Sequence, residues 1–176
     1  MFPGITIEQS RQGIENAKNH ANTLFSKGSV EESVRWFSKC LWLLESKRVL
    51  DVPKDAHSIL HSNRAFAYLK LSKWADAEKD CCAALSLNDK NAKAKYRRAQ
   101  ARSELDDIAG ALQDVEELLA ELPDQQSSQA LLDLKHRLTA SGRPPKEPPR
   151  RAAAPSPAQA SEPSRARGRM SVTDAK

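Results

Sequence analysis

Basic and amide side chains recur at helical spacing in three stretches of the chain. Lys18 and Asn22 are four residues apart, as are Lys93 and Arg97, so each pair would lie on one face of a helix. Asn63 lies on a third polar helical face. Ammonium and guanidinium groups bind carboxylates through charge-assisted hydrogen bonds, and amides donate to them without adding charge. If the three helices stack side by side, these residues predict a groove that binds carboxylates.

Small residues at a fixed interval indicate how such helices would stack. Residues suited to the contact between two helices recur at Ala21, Ala65 and Ala99. Twelve residues after each of them comes another small residue, at Ser33, Ala77 and Ala111. The second and third units are 34 residues apart, whereas the first and second are 44 apart, so the first connector holds ten extra residues. A period of 34 residues predicts an array of helix–turn–helix hairpins.

The hydrophobic pattern predicts seven helices and no strand. The helices are expected at residues 8–27, 30–46, 54–71, 74–87, 92–105, 108–122 and 127–138. Gly28 and Pro123 are expected to end helices, and Ser29 is expected to cap the second one. Residues 1–7 would form a loose lead-in. The last helix would cover the last hairpin with an apolar side that carries Leu131, Leu134 and Leu138.

Three segments resemble tetratricopeptide (TPR) repeats. The first repeat would be AKNHANTLFSKGSVEESVRWFSKCLWLL, the second LHSNRAFAYLKLSKWADAEKDCCAAL, and the third would open with AKAKYRRAQA. The long first connector is similar to that of the myosin-chaperone family and of some immunophilins. The resemblance implies an all-α fold of three hairpins and a C-terminal capping helix in a right-handed superhelical array.

The resemblance and the composition together predict three regions. The matched segment runs from residue 14 to residue 123. We expect an N-terminal lead-in at 1–13, a TPR domain with its capping helix at 14–140, and a disordered basic tail at 141–176.

The same resemblance implies a ligand. In TPR co-chaperones a "carboxylate clamp" is formed by five positions on the first helices of three repeats, which are occupied here by Lys18, Asn22, Asn63, Lys93 and Arg97. Such a clamp binds the C-terminal Glu-Glu-Val-Asp of heat-shock protein 90 (HSP90) or heat-shock protein 70 (HSP70). A terminal Asp carries two carboxylates on one residue, and only a chain end presents them together.

Two further residues on the helix of Asn63 are expected to touch the ligand. Phe66 and Lys70 lie further along that helix and would contact the residues before the terminal Asp. The resemblance therefore predicts a cytoplasmic co-chaperone or adaptor, with a client protein as a possible second partner. The alternative is a TPR scaffold that binds another peptide, while its basic tail contacts nucleic acid or an acidic partner.

Other reactive residues do not form the pattern of a metal or catalytic site. Cys40, Cys81 and Cys82 are odd in number and contain no CxxC pair, so they are expected to be small buried hydrophobes rather than disulfides or zinc ligands. His57 and His61 are four residues apart, but HSILH lacks the Glu of HExxH, and no third ligand is evident. No metal and no cofactor are expected.

Two features of the third repeat bear on its packing. Arg102 stands where the TPR family usually has a bulky apolar residue, and its aliphatic stem is expected to pack while its charge stays in water. Asp106 and Asp107 precede a helix and are expected to cap it rather than to act as catalytic carboxylates. No Gly-rich phosphate loop or Ser/His/Asp set stands out, so the chain is expected not to be an enzyme.

The net charge of +5 belongs to the tail. Residues 1–140 contain 20 Lys and Arg against 20 Asp and Glu, whereas residues 141–176 contain 8 against 3. The balanced part is not expected to bind nucleic acid. The tail holds seven of the ten prolines and no Leu, Ile or aromatic residue, so it is expected to be disordered. Its basic cluster consists of Arg165, Arg167 and Arg169.

The sequence shows no membrane or export signal. No run approaches the roughly 18 apolar residues that a membrane-spanning helix needs, so no membrane insertion is expected. The opening MFPGITIEQSRQG lacks a charged leader followed by an apolar stretch, so no secretory signal is expected.

Overall fold

The computed structural model describes residues 4–121 and 125–140 as an all-helical chain. Its elements are α1 (Arg11–Ser26), α2 (Val30–Glu45), α3 (Lys54–Lys70), α4 (Trp74–Leu87), α5 (Ala92–Glu104), α6 (Ile108–Glu121) and α7 (Gln125–Ala140). The part of the chain that the structure describes contains no strand, which confirms the predicted fold class. The predicted break at Pro123 and the predicted disordered tail at 141–176 lie outside the described residues.

Successive helices pair into three hairpins. α1 packs on α2, α3 on α4 and α5 on α6, while α7 packs on α6. The first helices also lie side by side, since α3 contacts both α1 and α5. The surface made by α1, α3 and α5 is therefore shared by all three hairpins, as the repeat pattern predicts.

The small residues of the repeat lie where the helices meet. All six are completely buried, with no exposed surface: Ala21, Ser33, Ala65, Ala77, Ala99 and Ala111. Because none of these side chains extends beyond one heavy atom from Cβ, the helix axes can approach closely. Larger apolar residues fill the space around these contacts. The apolar side of α7 closes the last hairpin, as predicted, with Leu131, Leu134 and Leu138.

The chain before α1 is part of the core, so the prediction of a loose lead-in at 1–7 is wrong for its described part. Ile5 and Ile7 are buried in the apolar cluster of the first hairpin. The helix begins at Arg11 rather than at Glu8, because the Ser10 hydroxyl accepts a hydrogen bond from the backbone N–H of Gly13 at 3.0 Å. Ser10 is therefore the N-cap of α1.

Of three other helix-end predictions within the described residues, two are confirmed and one is wrong. Gly28 ends the turn after α1 with φ +85°, a conformation that glycine adopts without a steric cost. Asp107 caps α6 as predicted, since its Oδ1 accepts from the backbone N–H of Gly110 at 3.1 Å. Ser29 stands at the N-cap of α2, but its side chain makes no capping hydrogen bond, contrary to the prediction.

In the second hairpin, and again in the third, an ion pair between residues sixteen positions apart joins the two helices of the hairpin. Arg64 donates from Nε and Nη2 to the two carboxylate oxygens of Asp80, at 2.7 Å each. Arg98 makes the equivalent two-pronged contact with Asp114. Hydrogen bonds from Arg64 and His61 outweigh the effect of burial and hold the pKa of Asp80 below its ordinary value. Both aspartates are buried, so each depends on its arginine.

The first hairpin replaces this ion pair with two rings. His20 and Trp36 stand at the equivalent positions, and their ring centroids are 4.4 Å apart in an edge-to-face arrangement. In each hairpin these two equivalent positions therefore form a contact between the helices. The contact is an ion pair in the second and third hairpins and an aromatic pair in the first.

Arg102 does not keep its charge in water, so that prediction is wrong. Its Nε donates to Glu78 Oε1 at 2.9 Å, and its Nη1 donates to Asp114 Oδ2 at 3.0 Å and to the carbonyl oxygen of Gly110 at 3.2 Å. Asp114 therefore binds two arginines. A guanidinium can take the place of a bulky apolar residue here because it pairs with the buried Asp114 and the half-buried Glu78.

Removal of the Asp114 carboxylate should destabilise the fold. The side chain is 1% exposed, so Asp114→Ala would leave the guanidinium groups of Arg98 and Arg102 without their buried partner. We expect the free energy of unfolding to fall by about 3 kcal/mol. Urea denaturation followed by circular dichroism measures the change. Asp89→Ala, at an exposed aspartate, should change stability by less than about 0.5 kcal/mol, and equal losses in the two variants would contradict this account.

The three cysteines are not equivalent. Cys40 and Cys81 are buried, as predicted, but Cys82 is exposed, contrary to the prediction. Successive residues of a helix point about 100° apart, so Cys81 and its neighbour face different surroundings. Burial raises the pKa of the Cys40 thiol to about 12, and burial likewise raises the pKa of the Cys81 thiol to about 12.

Thiol labelling should therefore distinguish Cys82 from the other two. Because thiolates react and the buried thiols stay protonated at neutral pH, an aromatic disulfide reagent should rapidly modify one thiol in the folded chain and three after denaturation. Absorbance of the released thiolate measures the stoichiometry. Cys82→Ser should abolish the rapid phase, and a rapid phase that persists in this variant would show that a buried cysteine is accessible.

Candidate functional site

Four of the five residues predicted for the clamp line one cavity of about 350 Å³. Lys18 and Asn22 come from α1, Asn63 from α3 and Lys93 from the first turn of α5. The amide of Asn63 donates to the side-chain oxygen of Asn22 at 3.3 Å, which joins the first hairpin to the second. The side-by-side packing of the three first helices thus brings the predicted residues together.

The fifth residue, Arg97, lies at the edge of this cavity. Its Nη1 donates to the carbonyl oxygen and to the hydroxyl of Ser62, at 2.7 Å each, and is 3.4 Å from Asn63 Oδ1. The guanidinium carbon is 4.7 Å from the ring centroid of Phe66, within the range of a cation–π contact. These contacts fix the guanidinium between α3 and α5.

Unlike similar arginines, Arg97 pairs with no carboxylate in the part of the chain that the structure describes. Within the described residues, the other half-buried arginines each pair with Asp or Glu: Arg64, Arg98 and Arg102. Arg97 is also half-buried, and the structure gives it only neutral acceptors. Burial lowers the pKa of its guanidinium, which stays cationic at neutral pH. A partly desolvated cation without an anion is a site for an anionic ligand.

The two lysines differ in their own partners. Lys18 Nζ is 2.6 Å from Glu15 Oε1, one turn earlier in α1. Lys93 is exposed, and no carboxylate of the described helices lies within ion-pair distance of it. An anion in the cavity would therefore meet a free Lys93 but would share Lys18 with Glu15.

An apolar recess of about 600 Å³ adjoins the cavity on the side of α5 and α7. Its walls include Phe66, Tyr96 and Leu131, and it shares Lys93 and Arg97 with the charged region. The Phe66 ring also packs against Phe25 of α1, with centroids 4.8 Å apart. Phe66 thus stands where the polar cavity meets the apolar recess.

Lys70 lies further along α3 than the rest of the set. Its Nζ is 5.8 Å from the Phe66 ring centroid, and it lines a third, smaller recess together with Phe66 and Trp74. The structure therefore places Lys70 next to the groove but not in its charged part.

Sequence reasoning missed two amide residues of the cavity. Asn19 and Asn91 both line it. Asn19 occupies the same repeat position as Asn63 and Arg97, 44 and 78 residues earlier in the chain, so the repeat register contained the signal. Asn91 is the N-cap of α5, where its side chain accepts from the backbone N–H of Ala94 at 3.1 Å. Because Asn91 caps the helix whose first turn carries Lys93, it lies beside that lysine.

A second polar cluster lies elsewhere on α3. The rings of His57 and His61 are stacked, with centroids 5.1 Å apart. The sequence showed no third ligand beside them, but the fold brings Glu45 of α2 to within 4.8 Å, measured between one ligand atom of each residue. Burial lowers the pKa of His57, and His61 lowers it further, while Glu45 acts in the opposite direction.

Comparison with known proteins places this architecture in a family, although no family model matches the chain. The second TPR domain of Spaghetti (RPAP3), bound to the HSP90 peptide SRMEEVD, is 32% identical to the chain. The match has a TM-score of 0.55 and covers 62% of this chain and 87% of that one. This chain belongs to the tetratricopeptide repeat family. The TPR identity of all three hairpins accounts for the 34-residue period.

Two further relatives are similar to much of the chain. The second TPR domain of human RPAP3, in complex with the HSP70 peptide SGPTIEEVD, is 28% identical with a TM-score of 0.58, and the match covers 70% of this chain and 92% of that one. The human mitochondrial import receptor subunit TOM70 is 32% identical over 114 residues, which are 64% of this chain.

The TPR chain spans only part of its longer relatives. It matches 18% of the length of human TOM70 and 16% of an RNA polymerase II-associated protein 3 from Xenopus tropicalis. Among the helices that the structure describes, none combines the length and the apolar composition needed to cross a membrane.

Proposed function

We propose that this TPR domain is the chaperone-binding part of a co-chaperone or adaptor. Its ligand would be the C-terminal Glu-Glu-Val-Asp of HSP90, of HSP70 or of both. The observation that carries the proposal is Arg97, a half-buried guanidinium that pairs with no carboxylate of the described residues. It lies beside four further residues of the clamp pattern, around a groove open to solvent.

The groove matches the chemistry of a terminal aspartate. Such a residue carries two carboxylates, and the cations of Lys18, Lys93 and Arg97 would neutralise them. The amides of Asn22 and Asn63 would donate hydrogen bonds without adding charge to the empty groove. Only Nη1 of Arg97 is engaged with neutral acceptors within the described residues, so its other nitrogens can donate to the ligand.

The apolar recess would accept the side chains that precede the terminal aspartate. Both peptides seen with RPAP3 domains end in EEVD, with a valine next to the last residue. Phe66, between the charged cavity and the recess, and Lys70 beyond it would contact this upstream part. A valine would lose its hydrated surface there, whereas the preceding glutamates would remain near Lys70 and solvent.

The expected affinity is modest. Charge-assisted hydrogen bonds contribute about 1.5–3 kcal/mol each, but a flexible peptide must be ordered on binding. A net free energy near −7 to −8 kcal/mol corresponds to a dissociation constant of roughly 1–10 μM. The same proposal includes a binding role rather than a catalytic one, and a cytoplasmic location beside these chaperones.

Removal of a clamp cation should weaken peptide binding while the fold survives. We expect Lys93→Ala to weaken binding of an MEEVD peptide by about tenfold or more, because Lys93 is exposed and its truncation would mainly remove its contact with the ligand carboxylate. Arg97→Ala should have a larger effect. Isothermal titration calorimetry measures the affinity, and circular dichroism measures the fold.

Two controls make this test specific. Lys79→Ala removes the same charge from an exposed position of α4 outside the cavity, and should leave the affinity within about twofold. A peptide with an amidated C-terminus lacks one of the two carboxylates and should bind poorly to the unmodified chain. Undiminished binding in Lys93→Ala, or equal binding of free and amidated peptides, would contradict the clamp.

The carboxylate of Glu15 should compete with the ligand for Lys18. Its Oε1 is 2.6 Å from Lys18 Nζ, and it adds negative charge beside a groove proposed to bind an acidic peptide. Exposed ion pairs contribute about 0.2–1 kcal/mol, so Glu15→Gln should tighten binding by roughly 1.5- to fivefold. The same calorimetric titration measures this change. Glu31→Gln, on α2 away from the cavity, should not tighten it, and weaker binding in Glu15→Gln would mean that Glu15 orients Lys18 for the ligand.

A further inference from the structure

A cluster of metal-binding residue types lies apart from the clamp cavity. His57 and His61 are one helical turn apart on α3, and Glu45 is the last residue of α2. One ligand atom from each residue lies within 4.8 Å of the others. None of the three lines the clamp cavity or the apolar recess beside it. The proposed peptide site therefore does not explain why these groups meet.

We propose that Glu45, His57 and His61 form a binding site for a divalent transition-metal ion, with Zn²⁺ as the best fit. Two imidazoles and one carboxylate are a donor set that zinc accepts, with a water molecule in the fourth position. Ca²⁺ and Mg²⁺ prefer sites made of oxygen ligands, so the two imidazoles disfavour them.

The first supporting observation is an unpaired nitrogen. His57 Nε2 is buried and has no hydrogen-bond partner among the residues that the structure describes. A buried polar atom without a partner is uncommon in folded proteins and costs free energy. Coordination of a metal ion through its lone pair would satisfy this nitrogen, and no protein group of the described chain does so.

The second observation concerns the orientation of His61. Its Nδ1 is 3.1 Å from Asp80 Oδ1, and two hydrogen bonds from Arg64 keep that carboxylate ionised. Since a carboxylate can only accept, Nδ1 must carry the proton, and the lone pair lies on Nε2. A carboxylate behind a histidine is the usual support of a metal-binding imidazole, because it fixes the tautomer and the ring direction.

The geometry needs only a small contraction. Tetrahedral zinc with bonds of about 2.0–2.2 Å holds its ligand atoms roughly 3.3–3.6 Å apart, so a cluster spread over as much as 4.8 Å must close by about 1.2–1.5 Å. Glu45 is exposed at the end of α2, so rotation of its side chain can adjust the distance of its carboxylate to the two imidazoles. Its exposure also gives the ion a path from solvent.

A bound ion would connect two hairpins. Glu45 ends the first hairpin and the histidines begin the second, on either side of the long connector at residues 46–53. The ion would therefore tie α2 to α3 where the chain departs from the 34-residue period.

Zinc titration of the full chain tests this proposal. Isothermal titration with ZnCl₂ should show one strong site, and Co²⁺ should give the visible absorption of a four-coordinate centre. His57→Gln should weaken zinc binding by about 100-fold or more, because even the outer partners of metal ligands contribute roughly 10- to 100-fold. His136→Gln, on an exposed part of α7, is the matched control and should have no effect.

A second variant keeps the test decisive if His57→Gln perturbs packing. Glu45→Gln changes only an exposed side chain, and it should also weaken zinc binding by at least about tenfold while the circular dichroism spectrum stays unchanged. Zinc should shift the ¹⁵N resonances of the imidazole rings of His57 and His61. Equal zinc affinity in the parent chain, His57→Gln and Glu45→Gln, or no strong zinc binding by the parent chain, would overturn the proposal.

Discussion

The two-pronged contact between an arginine on the first helix of a hairpin and a buried aspartate on the second is the interaction on which the groove depends. Arg64 and Arg98 make it in successive repeats, and the residue before each of them, Asn63 and then Arg97, belongs to the proposed clamp. Neighbouring residues of a helix point about 100° apart. When the arginine is held between the helices of its own hairpin, the residue before it is directed toward the shared groove.

The same packing holds Arg97 in the groove, although no carboxylate of the described residues pairs with it. Arg97 loses part of its hydration, which costs free energy, but neutral oxygens of Ser62 and the ring of Phe66 hold it in place. An acidic chain end would then find its donors already oriented, so little further ordering of the protein is needed on binding. The packing of the hairpins, rather than the ligand, offsets the free-energy cost of a partly desolvated cation.

α3 has different roles on its different faces. Toward the groove it presents Asn63 and Phe66, and toward α2 and α4 it presents His57, His61 and Arg64. Because a helix moves as a rigid element, contacts made on one face determine the position of the other. The Asp80 carboxylate, which binds both Arg64 and His61, therefore links the packing of the second hairpin to the orientation of the clamp and to the proposed metal site.

The positions of the helices, apart from the start of α1, and the 34-residue period were predictable from the sequence, because hydrophobic periodicity and small contact residues are local or repeat at a fixed interval. The residues predicted for the clamp share that register, and they come together where α1, α3 and α5 lie side by side. Asn19 was accessible to the same reasoning and was missed. Other features were decided only by tertiary structure, since they depend on which helices touch and at what angle. These features are the burial of Ile5 and Ile7, the exposure of Cys82, the carboxylates around Arg102, and the approach of Glu45 to two histidines. Each depends on which residues the fold brings together or separates, and no interval in the sequence relates those residues.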